Sequence, residues 1–389
     1  MEWYTLDDSL RRDTVIEGFE SFIWTERYST IGDFQIVIKS TFPNRRLLAP
    51  GTRIAMQGSS RVMTIFTVSD DTALDGTRNL TVTGSSLEAL LEDRVAMPAI
   101  TDTTTTPAWV VTDTPGNIVR YMFTQICVNA AISANDTIPF YQPGTLLPTG
   151  SIPEDPSVIT VSAQPDTLYN TIKKICDTYF LGFRLVRNGD LGQVYFEVYT
   201  GNDLTSDQTT RSPVIFDANM DNLEKISQLT STAANKTVAY VFAQNGSAIV
   251  YSTYTDPTYA GSDRRVLLVN SSNSAAAGPD LDDALHAEGL IALTQYRTVY
   301  AFDGELPQKV PYVYGVDYNL GDLVEERNSD GFGNQMIVTE QIFVSDNTGE
   351  RTYPTLSVRA VITPGTWIAY DPSIDWADED PSVTWSTIT

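Results

Sequence analysis

The chain has 389 residues, 42% of them apolar and 19% charged, and its 49 acidic side chains against 25 basic ones give a formal charge of −24. Surface polarity must therefore come largely from Thr, Ser, Asn and Gln. Phosphates need Lys and Arg for tight binding, so this balance excludes duplex DNA as a tightly held ligand and an anionic membrane as a docking face. DNA sliding past without sticking remains compatible with it.

The length suggests two to four domains around a sizeable core. Met1-Glu2-Trp3-Tyr4 lacks a basic region followed by an apolar run, so no signal peptide is expected. No run of about 20 apolar residues occurs, so no membrane insertion is expected. Residues 1–14 read as a polar, mixed-charge lead-in. Residues 21–28 and 34–39 read as two strands turned by Gly32-Asp33, with Phe34, Ile36 and Ile38 on one face. Ser85-Ser86-Leu87-Glu88 has capping-box form, with Ser85 as N-cap and Glu88 at N3. Leu87, Leu90 and Leu91 give that helix an apolar side, and Pro98 lies beyond its end.

A Thr-rich joint, residues 101–107, opens a mixed α/β part. Thr114 caps a helix that carries Pro115 at its first position, with Ile118, Val119, Met122, Phe123, Ile126 and Cys127 in helical period. After a proline-rich loop a second helix begins near Pro165, packs through Leu168, Ile172, Ile175, Cys176 and Tyr179, and stops at Gly182. Cys127 and Cys176, the two cysteines of the chain, read as buried thiols rather than a disulfide. Residues 183–187 and 193–199 flank Asn188-Gly189-Asp190 as a hairpin.

Residues 214–231 lead into strands at 236–243, 248–254 and 264–269. A mobile Ser/Asn/Ala/Gly-rich loop at 270–280 and a helix at about 280–300 follow, with Leu281, Leu285, Ala292, Leu293 and Tyr296 as the apolar stripe. A strand is expected at 310–316. Residues 320–360 then form three extended runs, 323–326, 335–345 and 351–360, separated by turn residues. Residues 47–84 carry a weaker copy. Gly51-Thr52-Arg53-Ile54 echoes Gly321-Asp322-Leu323-Val324, and Met63-Thr64-Ile65-Phe66-Thr67 echoes Met336-Ile337-Val338-Thr339. Val68-Ser69-Asp70 echoes Val344-Ser345-Asp346, and Asp75-Gly76-Thr77-Arg78 echoes Thr348-Gly349-Glu350-Arg351. One antiparallel β module is used twice.

The catalytic inventory is thin. His286 is the only histidine and would have to serve as base of any triad; it reads as a surface or interface residue on a helix. Gly58-Ser59-Ser60 and Gly84-Ser85-Ser86 read as turns rather than nucleophile elbows. Glu325-Glu326 and Asp282-Asp283 carry little information in so acidic a chain. Asp375, Asp378, Glu379 and Asp380 lack calcium-loop register, and Gly331-Phe332-Gly333 has no lysine or helix start to cradle phosphate. No catalytic, cofactor-binding or metal-ligating residue is assigned, and the chain is not expected to be an enzyme. The 19 tyrosines and six tryptophans make sugar binding conceivable, but Tyr254, Tyr259, Tyr312, Tyr314 and Tyr318 read as packing residues.

Five motifs occur in fixed order: GFESFIWTERYSTIGDFQIVI, LLAPGTRIAMQ, LTVTGSSLEALLEDRV, YNLGDLVEER and VSDNTGERTYPTL. Together they resemble the siphophage tail-hub family of minor tail, tail-associated and baseplate-hub proteins. The resemblance spans about residues 15–362. It implies an α+β, mostly antiparallel β fold with two similar β-barrel tube domains and an inserted smaller α/β domain. The domains would be 1–100 (first tube), 101–212 (insert), 213–362 (second tube) and an acidic tail, 363–389. It also implies a homotrimeric, pseudo-sixfold hub at the tail tip of the virion. Its partners would be the distal tail ring, the tape measure protein, tip or fibre proteins and the passing genomic DNA. The acidity would then keep a channel wall from trapping DNA. Larger hub relatives carry a C-terminal lytic or receptor-reaching extension; this sequence ends at Thr389, and no lytic role is expected. The alternative functions are a cell-wall hydrolase or a host-glycan-binding tail protein.

Overall fold

Alternating apolar residues build most of the chain into antiparallel strands. It begins with β1 (Trp3–Leu6), β2 (Arg12–Val15), β3 (Phe19–Arg27) and β4 (Asp33–Lys39). A short helix, α1 (Phe42–Leu47), starts where the Thr41 hydroxyl accepts from the Asn44 amide. Then come β5 (Arg53–Met56), β6 (Val62–Thr72) and β7 (Arg78–Ser86). The α/β part holds β8 (Trp109–Asp113), α2 (Pro115–Phe123), β9 (Ile159–Ala163), α3 (Leu168–Thr178), β10 (Gly182–Asn188) and β11 (Gln193–Tyr199). There follow β12 (Ile215–Asp217), β13 (Glu224–Ser231), β14 (Val238–Asn245), β15 (Ala248–Thr255) and β16 (Val266–Asn270). The last strands are β17 (Val299–Glu305), β18 (Leu323–Arg327), β19 (Gly333–Asp346) and β20 (Gly349–Val358). This computed structural model describes residues 1–358 except 73–75, 98–108, 157, 164–165, 221, 223, 232, 234, 246–247, 256–260, 272–284, 287–288, 290–291, 294–295, 297–298, 306–311 and 328–332.

A 13-stranded sheet runs β13-β17-β20-β19-β3-β4-β7-β6-β5-β1-β2, with β18 beside β19 and β12 beside β18. Both module copies lie in it, and the pairing of β19 with β3 joins them. β19 is long enough to do this because its first half pairs with β18 and its second half with β3, while β20 runs along its other edge. The expectation of two closed barrels is therefore corrected to one open sheet among the described residues, in which the second half of β19 pairs with β3 of the other copy.

The two copies agree in backbone detail. Gly51 donates to Ile65 O and Gly321 to Val338 O, both at 2.8 Å, and both glycines have positive φ, 88° and 89°. Ile54 opposes Met63 as Val324 opposes Met336. A bulge at Phe66, between Ile65 and Thr67, matches one at Thr339, between Val338 and Glu340. The third echo does not keep this register: Asp70 opposes Leu80 across β7, whereas Asp346 sits at the hairpin end opposite Gly349.

One face of the first copy buries Phe22, Trp24, Phe34, Ile36, Ile38, Met63, Ile65, Leu80 and Val82. Phe216, Tyr318, Leu320, Val324, Met336, Val338 and Leu356 pack the second copy. The helices α2 and α3 pack with β10 and β11 in a core that also takes in Tyr4, Leu6, Ala55 and Val62 of the first copy.

Several local expectations change. Residues 1–14 are not merely polar: β1 pairs with β5, and Trp3 stacks on Phe22 at 4.1 Å. Ser85 does not cap a helix, because Ser85 and Ser86 end β7 and only a 3-10 turn, Leu87–Leu91, follows; the carboxylate of Glu88 is needed elsewhere. The turn after α3 is made by Phe180 at φ 54°, and Gly182 already belongs to β10. Residues 312–318 form a tight turn bridged from Tyr314 to Tyr318 rather than the described part of the strand expected at 310–316, whose residues 310–311 lie outside the described residues. Residues 299–300, taken as helix end, start β17. Most of the helix expected at 280–300, the joint at 101–107, the loop after 271 and the tail lie outside the described residues.

Candidate assembly interface

The junction between the two copies is a set of hydrogen-bonded polar groups, with Glu26, Arg61 and Glu88 buried and Arg27 and Glu340 half-buried. Trp24 on β3 faces Phe343 on β19. Glu26, next on the same face, accepts from Trp24 Nε1 at 3.0 Å, from the Ser59 hydroxyl at 2.5 Å and from Tyr314 OH at 3.1 Å. One carboxylate thus ties β3, the turn after β5 and the turn of the second copy. Arg27 donates to Glu340 at 2.5 Å and to Asp33 at 2.6 Å, clamping β19 against β3 and β4. Arg61 pairs with Glu88 where both are almost fully buried, and it also donates to Arg27 O at 3.1 Å. Glu88 accepts from the Leu185 amide at 2.7 Å, which fixes β10 to the first copy.

Close backbone packing joins the α/β part to the second copy. Tyr28 OH donates to Phe180 O at 3.0 Å or Tyr199 O at 3.2 Å. Its ring leaves no room for a side chain at residue 182 or 321, since a Cβ at either glycine would lie 2.3 Å from the ring. A Cβ on Gly201 would lie 1.9 Å from Gly321 O. Beside this stack, the Asp322 carboxylate accepts from Asn202 N at 2.6 Å and Asn319 N at 2.7 Å. Burial pushes the Asp322 carboxyl up to about 6, opposed by these hydrogen bonds and by the charge of Arg211. Glu197 accepts from Leu146 N at 2.5 Å, Leu147 N at 2.7 Å and Arg184 at 2.7 Å, holding the proline-rich loop on β11.

The residues singled out in the sequence do not converge. Ser59 and Ser86 are hydrogen-bonded structurally, Ser86 accepting from Gly32 N at 2.9 Å. Glu325 accepts from Ser206 N at 2.5 Å and Arg327 at 3.0 Å. His286 is half-buried next to the buried Leu285. Cys127 and Cys176 are buried free thiols, as read from the sequence, and burial pushes Cys127 up to about 12. Tyr312, Tyr314 and Tyr318 pack in a ring cluster with Phe216 and Phe343. Tyr259, Asp282, Asp283, Gly331, Phe332 and the acidic run 375–380 lie outside the described residues. Among the described residues, no group of three or more His, Cys, Asp or Glu is placed to hold a metal ion, and no helix is long and apolar enough to cross a membrane. Sequence reasoning assigned Glu88 to a capping box and missed that Arg61, Glu88 and Asp322 are buried polar groups, for which their local sequence carries no signal.

The two copies differ most in what lies along their long strands. Residues 340–346 of β19, paired edge to edge with β3, are half-buried or buried. The equivalent residues 67–72 of β6 are exposed except for half-buried Val68. Phe66, at the bulge, is 54% exposed and borders an open depression of about 470 Å³ with Ile23, Gln35, Thr83 and Ser85.

The same architecture occurs in solved tail proteins. A tail protein from Neisseria meningitidis MC58 superposes with a TM-score of 0.57 at 14% identity, over 95% of this chain and 98% of that one. The prophage MuSo2 43 kDa tail protein from Shewanella oneidensis superposes with a TM-score of 0.54 at 13% identity, over 92% and 98%. No curated protein sequence matches the chain. Residues 2–354 match the family described as Siphovirus ReqiPepy6 Gp37-like protein. With that match covering most of its length and with a fold shared by the solved tail proteins above, the chain belongs to the Siphovirus ReqiPepy6 Gp37-like family.

Proposed function

We propose that the chain is a structural hub of a long-tailed phage tail tip, resident in the virion and assembled as a homotrimeric ring. The observation that carries this reading is the duplicated module, repeated down to its glycine turn and its bulge and fused side by side in one sheet. Two alike modules per chain give a trimer six of them around its axis. Such a ring matches a sixfold tube or distal ring above and presents threefold symmetry to tip or fibre proteins below. Residues 1–100 and 213–362 act as the two tube-like modules and 101–212 as the insert between them. The tape measure protein and the genomic DNA pass through the ring, and the charge of −24 per chain disfavours DNA retention. The role is structural: the buried carboxylates described above are occupied in holding elements together. Imaging of assembled tails tests the reading, with threefold density for this chain at the tip as the expected result. A single copy per tail, or a cleared zone on a peptidoglycan zymogram, would overturn it.

A further inference from the structure

The internal junction is a template for a contact the single chain leaves unmade. Taken from the long strand outward, the second copy runs β19-β20-β17-β13 and the first runs β6-β7-β4-β3. Following partners through the pairings makes Thr67 equivalent to Glu340, Thr83 to Thr355, Gln35 to Asp303 and Ile23 to Ser227. β3 is thus the counterpart of β13, and β6 of β19. Within the chain, β3 pairs antiparallel with the second half of β19, Ile23 opposite Val344. The counterpart pairing, β13 on the second half of β6, does not occur. Among the described residues β6 bonds β5 only through residues 62–64, leaving the edge of residues 67–72 open, and β13 bonds only β17.

Resting on the ring reading above, we propose that β13 of one copy pairs antiparallel with the open half of β6 of the next copy, in the register of the internal β3–β19 junction. Ser227 then opposes Asp71, Gln228 opposes Asp70 and Ser231 opposes Thr67. The contact is head-to-tail, so it closes into a ring when the rotation per copy allows. It also covers two edges that would otherwise invite indiscriminate strand addition. Charge permits it at β6: Asp70 is already engaged by Arg78 at 2.6 Å and approached by Arg45 at 3.7 Å.

Cysteine pairs placed on the full-length chain test the register. Directly opposed residues across an antiparallel pair bring Cβ atoms to about 4.5–5.5 Å, within disulfide reach on small adjustment. Asp71→Cys with Ser227→Cys, or Asp70→Cys with Gln228→Cys, should give covalent multimers on mild oxidation, read on a non-reducing gel. The two pairs sample both kinds of opposed site, and Asp71→Cys with Ser231→Cys serves as the off-register control. The native Cys127 and Cys176 are buried and stay out of the reaction. Multimers from at least one in-register pair and none from the control bear the proposal out. Assembly of the wild type without cross-linking of either pair overturns the strand pairing and leaves the ring intact. A wild type that stays monomeric, by native mass spectrometry and within tails, overturns both.

Discussion

At the scale of single residues, the fold depends on charges kept indoors. Arg61 and Glu88 are both nearly sealed from water, so removing one leaves the other buried without its counter-charge. Arg61→Met is expected to cost about 3–5 kcal/mol of unfolding free energy. Adding Glu88→Gln removes the orphan charge and keeps an acceptor for the Leu185 amide, so the double variant should recover much of the loss. Urea midpoints of the two singles and the double measure this coupling. Asp322 gives a pH signature. Its carboxyl is raised to about 6 by burial, so between the ordinary carboxylate range and that value the folded chain binds more proton than the unfolded chain. Its contribution to stability therefore falls as pH rises through that window, by on the order of 2–3 kcal/mol. Asp322→Asn keeps an acceptor for one of the Asn202 and Asn319 amides, as the protonated carboxyl does, and removes the titration. The melting temperature of the variant relative to wild type should be higher at pH 7 than at pH 4.5; an equal difference at both values would show that Asp322 does not carry the effect.

At the scale of elements, the two copies make the same turn in different surroundings. Gly51 and Gly321 share a positive φ that glycine adopts without strain. Space beside Gly51 is open, whereas the Tyr28 ring fills the space beside Gly321. Gly51→Ala should cost about 1 kcal/mol, the backbone penalty alone. Gly321→Ala should cost roughly 2–4 kcal/mol, because the tyrosine ring must also move and its hydroxyl is anchored to the turn before β10 and to β11. Equal costs in chemical denaturation would refute this account of the junction. The repeat and the hairpins were legible because glycine turns and alternating apolar residues are local signals. The N-terminal strands were not, since β1 and β2 are four residues each and owe their place to pairing with β5 and to Trp3 stacking on Phe22. Glu88 was misread for a related reason. A capping box and a buried ion pair use the same residue, and the choice depends on an arginine 27 positions away in sequence.

At the scale of the whole molecule, charge sets the conditions of assembly. Copies that each carry −24 repel one another, and salt screens that repulsion to within about 8 Å at physiological ionic strength. Ring formation should therefore strengthen as salt rises from low to physiological concentration, the reverse of an association driven by opposite charges. Sedimentation velocity across a salt series checks the sign.

By itself the sequence determined the β-rich class, the duplicated module with its glycine turn, the hairpin β10–β11, the two amphipathic helices and the buried thiols. Each rests on interactions between residues near one another in the chain or on a periodicity of two or 3.6. Only the tertiary structure decided that the two copies share one open sheet, that Arg61 and Glu88 meet, that glycines at 201 and 321 let backbones touch, and that β6 keeps an edge which β19 has filled. Those outcomes depend on contacts between residues from 27 to 313 positions apart, where a strand's neighbour is set by the competition of whole edges for partners rather than by its own composition.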